Sequence, residues 1–204
     1  MVSNTNKIIS AVVAIAVILA IIVLVYVNLP KQTPTDNDTD DDQAHKESPV
    51  ILSIIYNDET QNYTYGQLER LESYTAKGGY RTSGGSIKGV GNYTGVNIST
   101  LMNLLEVVEY RYSLEVTDIE GNSTLYNFST ITGDVNIYNP TNASDSTPTG
   151  KGNMTMVLAY QFEGNLLNQS KDGKLKIVFL DQNGSITESI LWWKKVVSIH
   201  VITE

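Results

Sequence analysis

Nucleophilic and metal chemistry draw on a small set of side chains, and this sequence withholds most of them. It contains no cysteine, which excludes thiolate nucleophiles, iron–sulfur ligation, cysteine-based zinc sites and thiolate-held metal cofactors. His45 and His200 are its only histidines. The first lies in a polar stretch, and the second takes an outward position in an expected strand between the inward Ile199 and Val201. A histidine metal site or a Ser-His-Asp triad is therefore not expected. What remains is binding chemistry. Tyr80-Arg81-Thr82-Ser83-Gly84 sits in a glycine-rich stretch from Gly78 to Gly91, where backbone N–H groups can approach a ligand and an arginine can hold a phosphate or carboxylate through two hydrogen bonds. The bland counterpart is a surface turn with a solvated arginine. Lys88 follows, but the stretch matches neither G-x-x-x-x-G-K-[ST] nor a strand-linked G-x-G-x-x-G, which speaks against nucleotide binding. Trp192 and Trp193 could form a platform for a flat ligand, although adjacent aromatics before a strand usually divide between core and surface.

These residues need elements to position them. Val50 to Tyr56 is a β-branched run closed by Asn57, Asp58 and Glu59, and predicts a first strand. Thr64 with Gln67 is a capping-box pattern for a helix carrying Leu68 and Leu71. The Gly78 to Gly91 stretch is too glycine-rich for regular structure and is expected to be the functional loop. Asn97 to Leu105 predicts a short helix capped by Ser99 or Thr100, with Leu101, Leu104 and Leu105 buried. Tyr112, Leu114 and Val116 alternate with polar residues, the Asp118 to Asn122 turn reverses the chain, and Leu125 to Phe128 returns it. Asn139 to Asn153 is expected to be a long polar loop. Met154 to Phe162, Leu175 to Leu180 and Val196 to Ile202 complete the strands. The expected class is a β-dominated, mixed-sheet α+β domain, because the helices are too few to cover both faces of a parallel sheet.

The N-terminal quarter differs in kind. Residues 8–27 are apolar apart from Ser10 and Tyr26, long enough at ~1.5 Å per residue to cross a hydrocarbon core of roughly 30 Å. Lys7 and the N-terminal amine mark residues 1–7 as cytoplasmic, and the run is too long for a cleaved signal with no small-x-small site after it. Residues 28–48, with five aspartates between Asp36 and Asp42, are expected to be a solvated tether, without the spacing of a calcium loop. Residues 49–204 then form one extracytoplasmic domain on a single-pass anchor in the cell membrane. Ten of the 18 asparagines open an N-x-[ST] triplet: Asn37, Asn62, Asn92, Asn97, Asn122, Asn127, Asn142, Asn153, Asn168 and Asn183. That excess agrees with a surface exposed to a glycosylation machinery; a Ser/Thr/Asn-rich exterior with unused sequons is the alternative. From Ser48 onward, eleven basic against sixteen acidic residues leave a balance of −5, so nucleic acid is not an expected partner.

Five stretches, in order, carry a family resemblance. Tyr93-Thr94-Gly95-Val96 with Leu101, Leu104 and Leu105 resembles the "Y-x-G-V…L-x-x-L-L" element of the molybdopterin-binding domain of the sulfite oxidase family. Val116-Thr117-Asp118 with Gly121 is similar to its strand and "D-G" turn, and Val157-Leu158-Ala159-Tyr160 with Gly164, Asn165 and Leu166 to its "L-A-x-x-x-x-G-x-x-L". Gly173-Lys174-Leu175-Lys176-Ile177-Val178 and Trp193-Lys194-Lys195-Val196 with Ile199 and Val201 resemble its closing elements. The match runs from Ile51 to Ile202. The resemblance implies an α+β domain in which a dithiolene pterin holds molybdenum and a cysteine supplies the protein thiolate. It also places Tyr80, Tyr93 and Tyr160 at cleft positions. The family's cysteine loop corresponds here to Gly79-Tyr80-Arg81-Thr82-Ser83-Gly84, where the hydroxyl oxygen of Ser83 could in principle bind a metal in place of the thiolate. Arg70, Arg81 and Arg111 are the only arginines available to a pterin phosphate.

The leading expectation is therefore a member of this fold that binds an unknown ligand or protein through Tyr80, Arg81, Thr82, Ser83, Gly84, Lys88, Tyr93 and Tyr160. It carries no cofactor and performs no molybdenum catalysis. One alternative is a molybdopterin oxidoreductase whose cofactor is held noncovalently. Another is a pilin-like surface subunit, built from an apolar N-terminal helix and a β-rich head.

Overall fold

Strand β1 (Val50–Tyr56) starts the domain, and Asn57 and Asp58, at φ of 50° and 62°, turn it back into β2 (Glu59–Thr64). Two consecutive left-handed residues suit the right-handed twist of a tight hairpin, and Asn and Asp tolerate that conformation better than other non-glycine residues. Helix α1 (Tyr65–Glu69) follows with the expected capping box: Thr64 Oγ1 accepts from Gln67 N at 3.3 Å, and Gln67 Oε1 accepts from Thr64 N at 2.7 Å. A computed structural model describes residues 48–107, 111–141 and 147–203. The expected cytoplasmic segment, membrane span and tether up to residue 47, with Asn37 and His45, lie outside the described residues, as does Asn142. Among the described residues, no helix is long and apolar enough to cross a membrane.

The chain continues through β3 (Ser73–Arg81), β4 (Ile87–Asn97), α2 (Ile98–Leu104), β5 (Tyr112–Asp118), β6 (Ser123–Tyr126), α3 (Phe128–Ile131), β7 (Asp134–Ile137) and β8 (Gly150–Asn153). It ends with β9 (Thr155–Phe162), β10 (Asn165–Leu166), β11 (Lys176–Leu180), β12 (Ile186–Glu188), a 3-10 turn at Ser189–Leu191, and β13 (Val196–Thr203). One sheet runs β2-β1-β13-β5-β6, with β1 and β13 parallel and the other pairs antiparallel. A second runs β10-β9-β4-β3-β12, and β11 adds to the free side of β9. The second sheet curls, because Lys77 in β3 and Asp181 just after β11 exchange backbone hydrogen bonds of 3.2 and 3.0 Å. A short β7-β8 pair forms its own ladder, tied to β12 of the second sheet where Tyr138 N donates to Ile186 O at 2.8 Å. The class is as expected, β-dominated with mixed pairing.

Alternation along the strands sorts the apolar residues into two cores. Leu52, Ile54, Leu114, Val116, Ile199 and Val201 meet Leu158, Ile177 and Phe179 in the larger one, between the sheets. On the other face of the second sheet, Ala76, Tyr93, Val157, Ala159, Val178, Leu180 and Trp192 form the smaller one.

Four local expectations are corrected. The glycine stretch is not a loop: its ends belong to β3 and β4, and only residues 82–86 turn between them. Glycine is required in these strands because neighbours occupy the space a side chain would take. A Cβ on Gly78 would lie 2.7 Å from both Leu180 Cδ2 and the Phe179 carbonyl oxygen, and one on Gly95 would lie 2.2 Å from the Leu158 carbonyl oxygen. The cap of α2 is Asn97, whose Oδ1 accepts from Ser99 N at 3.0 Å, rather than Ser99 or Thr100. Its buried side is Ile98, Leu101 and Met102, and Leu104 is 49% exposed. The polar segment from Asn139 to Asn153 includes β8, which pairs with β7, an element with no strong apolar period to announce it.

Candidate functional site

The fully buried strand β11 places Lys176, Val178 and Leu180 on one face and Ile177 and Phe179 on the other. Val178 and Leu180 fill the smaller core, so Lys176, two residues before Val178, extends past the edge of that core into an open cleft. The cleft encloses about 740 Å³. Its lysine floor is unusual: Lys176 as a whole residue is 3% exposed. Its Nζ lies 5.7 Å from the Tyr80 ring centroid, 5.5 Å from that of Tyr93 and 5.2 Å from that of Trp192. The ammonium lies over the electron-rich face of each ring, which partly replaces the water it has lost. The rings also support one another, with Tyr80–Trp192 centroids at 5.1 Å and Tyr93–Trp192 at 5.3 Å. Trp192 is held in place by its Nε1–H, which donates to Thr187 Oγ1 at 2.7 Å.

The counter-charge comes from the turn before β11. Asn168 caps that turn, its Oδ1 accepting from Ser170 Oγ at 2.7 Å and Lys171 N at 3.2 Å, and Asp172 N donates to Asn168 O at 2.7 Å. Asp172 Oδ1 then meets Lys176 Nζ at 3.1 Å and Lys194 Nζ at 3.3 Å. Lys194 is brought there by Trp193, which exchanges backbone hydrogen bonds with Ile177. Burial pushes the Lys176 ammonium below its ordinary range; Asp172 opposes this, and Lys194 and Lys171 reinforce it. Burial also works against ionisation of Asp172, but Lys176 and Lys194 outweigh it and hold its carboxyl below the usual carboxylate range. Burial, followed by the negative charge of Asp172, raises the Tyr93 phenol, which stays neutral and donates to Gly89 O at 2.9 Å.

Lys88, Lys171, Lys176 and Lys194 line the cleft against only Glu163 and Asp172. Glu163 is already engaged, its Oε1 accepting from Asn92 N at 2.7 Å. In a domain whose own balance is −5, this is a local excess of positive charge beside aromatic faces, a surface suited to a small anion or an anionic planar ligand.

Of the residues singled out from the sequence, Tyr80, Lys88 and Tyr93 come together here. Tyr160 does not: it packs edge-on against Tyr65 at 5.6 Å, beside a separate recess of about 320 Å³. Arg81, Thr82 and Ser83 line a third recess of about 260 Å³ with Tyr138 and Glu188. There the Arg81 guanidinium lies 5.8 Å from the Tyr138 ring centroid, and Tyr138 donates to Glu188. Three of the amides expected to form an anion nest at this turn are used by the turn itself. Thr82 N donates to Ser86 O at 2.9 Å, Gly85 N to Thr82 O at 2.9 Å, and Ser86 N to Thr82 Oγ1 at 3.1 Å. Gly84 is exposed at the tip. Lys176, Asp172, Lys171 and Lys194 were not singled out, although Lys176 and Lys194 stand in quoted motifs and the run of lysines from 171 to 176 was a visible signal.

The residues do not fit a thiolate-ligated molybdenum. No cysteine is present to supply the thiolate, Gly78 on β3 is closed to a side chain as described above, and a Cβ on Gly79 would require Ile186 Cδ1, 2.6 Å away, to shift. Among the described residues, no group of three or more His, Cys, Asp or Glu side chains is placed to hold a metal ion. The lysines do suit a phosphate group. Asn62, Asn122, Asn127, Asn153, Asn168 and Asn183 are exposed and Asn92 and Asn97 half-buried. Several of these triplets have a structural use. Asn97, Asn127 and Asn168 cap local turns through Oδ1, so part of the sequon excess is capping chemistry.

No family model matches the chain, and no curated protein matches it by sequence. Among solved structures it is similar to the crystal structure of the sulfane dehydrogenase SoxCD from Paracoccus pantotrophus. The TM-score is 0.51 at 16% identity, over 75% of this chain and 38% of that one. At that identity the likeness is one of fold alone, and it agrees with the β-dominated, mixed-sheet class read from the sequence. The matched region is less than two thirds of that protein's length.

Proposed function

We propose that this chain is a membrane-anchored, outward-facing binding module on a molybdopterin-type scaffold, and that its lysine cleft takes a small phosphate- or carboxylate-bearing ligand without molybdenum chemistry. The placement is supported by the apolar run 8–27, the charge step across it and the sequons. The binding reading is carried by one observation: four lysines on a single ring-floored cleft in an acidic domain. Lys176 is fixed by Asp172 and the rings, so ligand charge is met by Lys88, Lys171 and the partly exposed Lys194. Lysines grip as point charges with no planar fork, which favours a compact anion over a flat bidentate pair. A second reading, a pterin held noncovalently by its phosphate, draws on the same lysines.

The test is a titration of the full chain in detergent with inorganic phosphate and pyrophosphate at low ionic strength, following melting temperature and tryptophan fluorescence. A saturable stabilisation is expected, reaching about 2.7 kcal/mol at a ligand concentration of one hundred times Kd. It should weaken at least tenfold in Lys88→Met/Lys171→Met and fade at high salt. No stabilisation, or stabilisation indifferent to that double variant, would refute the cleft as the site. Near-stoichiometric molybdenum in protein from native membranes, with turnover of an oxo-transfer substrate, would refute the non-catalytic reading.

A further inference from the structure

The five-stranded sheet ends at β2 on one side and β6 on the other. Each end strand leaves a row of backbone N–H and C=O groups without a strand partner among the described residues, a template for a second chain. The β6 edge is the more adhesive, because Leu125 on it is 63% exposed and Ile119, in the turn leading to it, is 70% exposed. Sequons mark both ends. Asn62 lies within β2, and Asn122 and Asn127 bracket β6 directly. The central strand β4 carries Asn92 and Asn97, both half-buried.

Side-chain bonding separates the candidates further. Asn127 uses its Oδ1 to accept from Ser129 Oγ, Thr130 N and Thr130 Oγ1, each at 2.9 Å, and its Nδ2 is uncommitted. Asn62 likewise uses Oδ1, accepting from Ser53 Oγ at 2.7 Å. Asn122 differs, since its Nδ2 donates to both Asp118 carboxylate oxygens at 3.4 and 3.2 Å.

We propose that Asn62 and Asn127 are N-glycosylated, and that the two glycans guard the two open edges of this sheet against pairing with another copy of the chain. The inference rests on the outward placement proposed above. Each Nδ2 attacks the anomeric carbon of a polyisoprenoid-phosphate-linked oligosaccharide. An N–C bond forms, an N–H and a C–O bond break, and the proton and lipid phosphate depart without redox change. Strand pairing needs an approach of about 4.8 Å, which a hydrated glycan on the edge strand or at its end obstructs.

Glycopeptide mapping of the full chain from native membranes should find both asparagines modified. Asn62→Gln with Ser129→Ala removes both sequons and keeps Asn127 as a cap. This variant should retain the far-ultraviolet dichroism of the wild type yet associate with rising concentration in light scattering. Enzymatic deglycosylation of the folded wild type gives the same reading should that variant fail to fold. Modification at Asn92 or Asn153 with Asn62 and Asn127 bare overturns the inference and leaves the outward placement standing. A deglycosylated chain that stays monomeric overturns the guarding role. A chain unmodified at every sequon overturns both the inference and the placement.

Discussion

Replacing Asp172 with Asn probes the cleft floor at its most exposed assumption, that Lys176 is held charged in a nearly dry cage. Its side chain is 4% exposed and that of Asp172 15%, at an Nζ–Oδ1 distance of 3.1 Å. Removing one partner of a buried ion pair costs about 3–5 kcal/mol, because the other charge is stranded. Two effects lower that figure here. Three rings still face the ammonium, each worth roughly 0.5–2 kcal/mol, and the Asn carbonyl can accept one hydrogen bond. There is also a ceiling, since deprotonating an ordinary lysine at pH 7 costs about 4.6 kcal/mol. The expected loss is therefore roughly 2–3 kcal/mol at pH 7.

Urea unfolding followed by tryptophan fluorescence measures this loss directly. Its pH dependence carries the mechanism. Without Asp172 the folded-state pKa of Lys176 falls further below its unfolded value, so the folded chain binds fewer protons than the unfolded one between the two values. Stability then rises with pH, and the deficit of Asp172→Asn should shrink as pH climbs from 7 toward 10. Adding Lys176→Met removes the stranded charge and places a flexible thioether among the rings, which should bring the double variant within about 1 kcal/mol of wild type. A loss below about 1 kcal/mol for Asp172→Asn, a deficit constant with pH, or no recovery in the double variant would refute the caged-charge account.

In the wild type, Asp172 has a folded pKa below its ordinary value of 3.8. Its contribution is therefore complete above that value and lost as pH falls through the folded one, so acid unfolding of Asp172→Asn should lack this component. Gly78→Ala should cost about 1–3 kcal/mol, since the added Cβ meets a carbonyl oxygen that cannot rotate away; the urea midpoint should fall with an unchanged slope. Asn97→Ala should cost about 1 kcal/mol through the lost cap of α2, and Asn97→Asp, which also removes the sequon, should cost little. Comparing the two by thermal unfolding separates capping from any effect of a glycan.

Much of the scaffold was legible because its causes are local. The β-branched run of β1, the two-residue alternation of β5 and the apolar blocks of β9, β11 and β13 each state their conformation within a few residues. The Thr64–Gln67 box likewise sets the start of α1 through bonds spanning three positions. Where the cause was distant, local reading failed. The glycines of β3 and β4 resemble loop punctuation until Leu180, Phe179 and Leu158 close on them, and Leu104 looks buried until α2 turns Met102 inward instead. The cleft shows the same division. Tyr80, Lys88 and Tyr93 could be singled out because their types stand out near glycines, whereas Arg81, Thr82 and Ser83 sit at a turn that uses the Thr82, Gly85 and Ser86 amides internally and line a separate recess.

The sequence by itself determined which side chains this chain can bring to a site, since no fold can supply a thiolate, or an imidazole beyond His45 and His200, that the chain lacks. It also determined most strand positions, which follow from side-chain period. Only the tertiary structure decided where positive charge collects. Tyr80 and Tyr93, Asp172 and Lys176, and Trp192 and Lys194 come from three separate stretches of the chain, and their mutual field arises only once β11 lies beside β9 and the second sheet curls over it. Charge and desolvation act across a few ångströms of space, and no spacing along the chain records that distance.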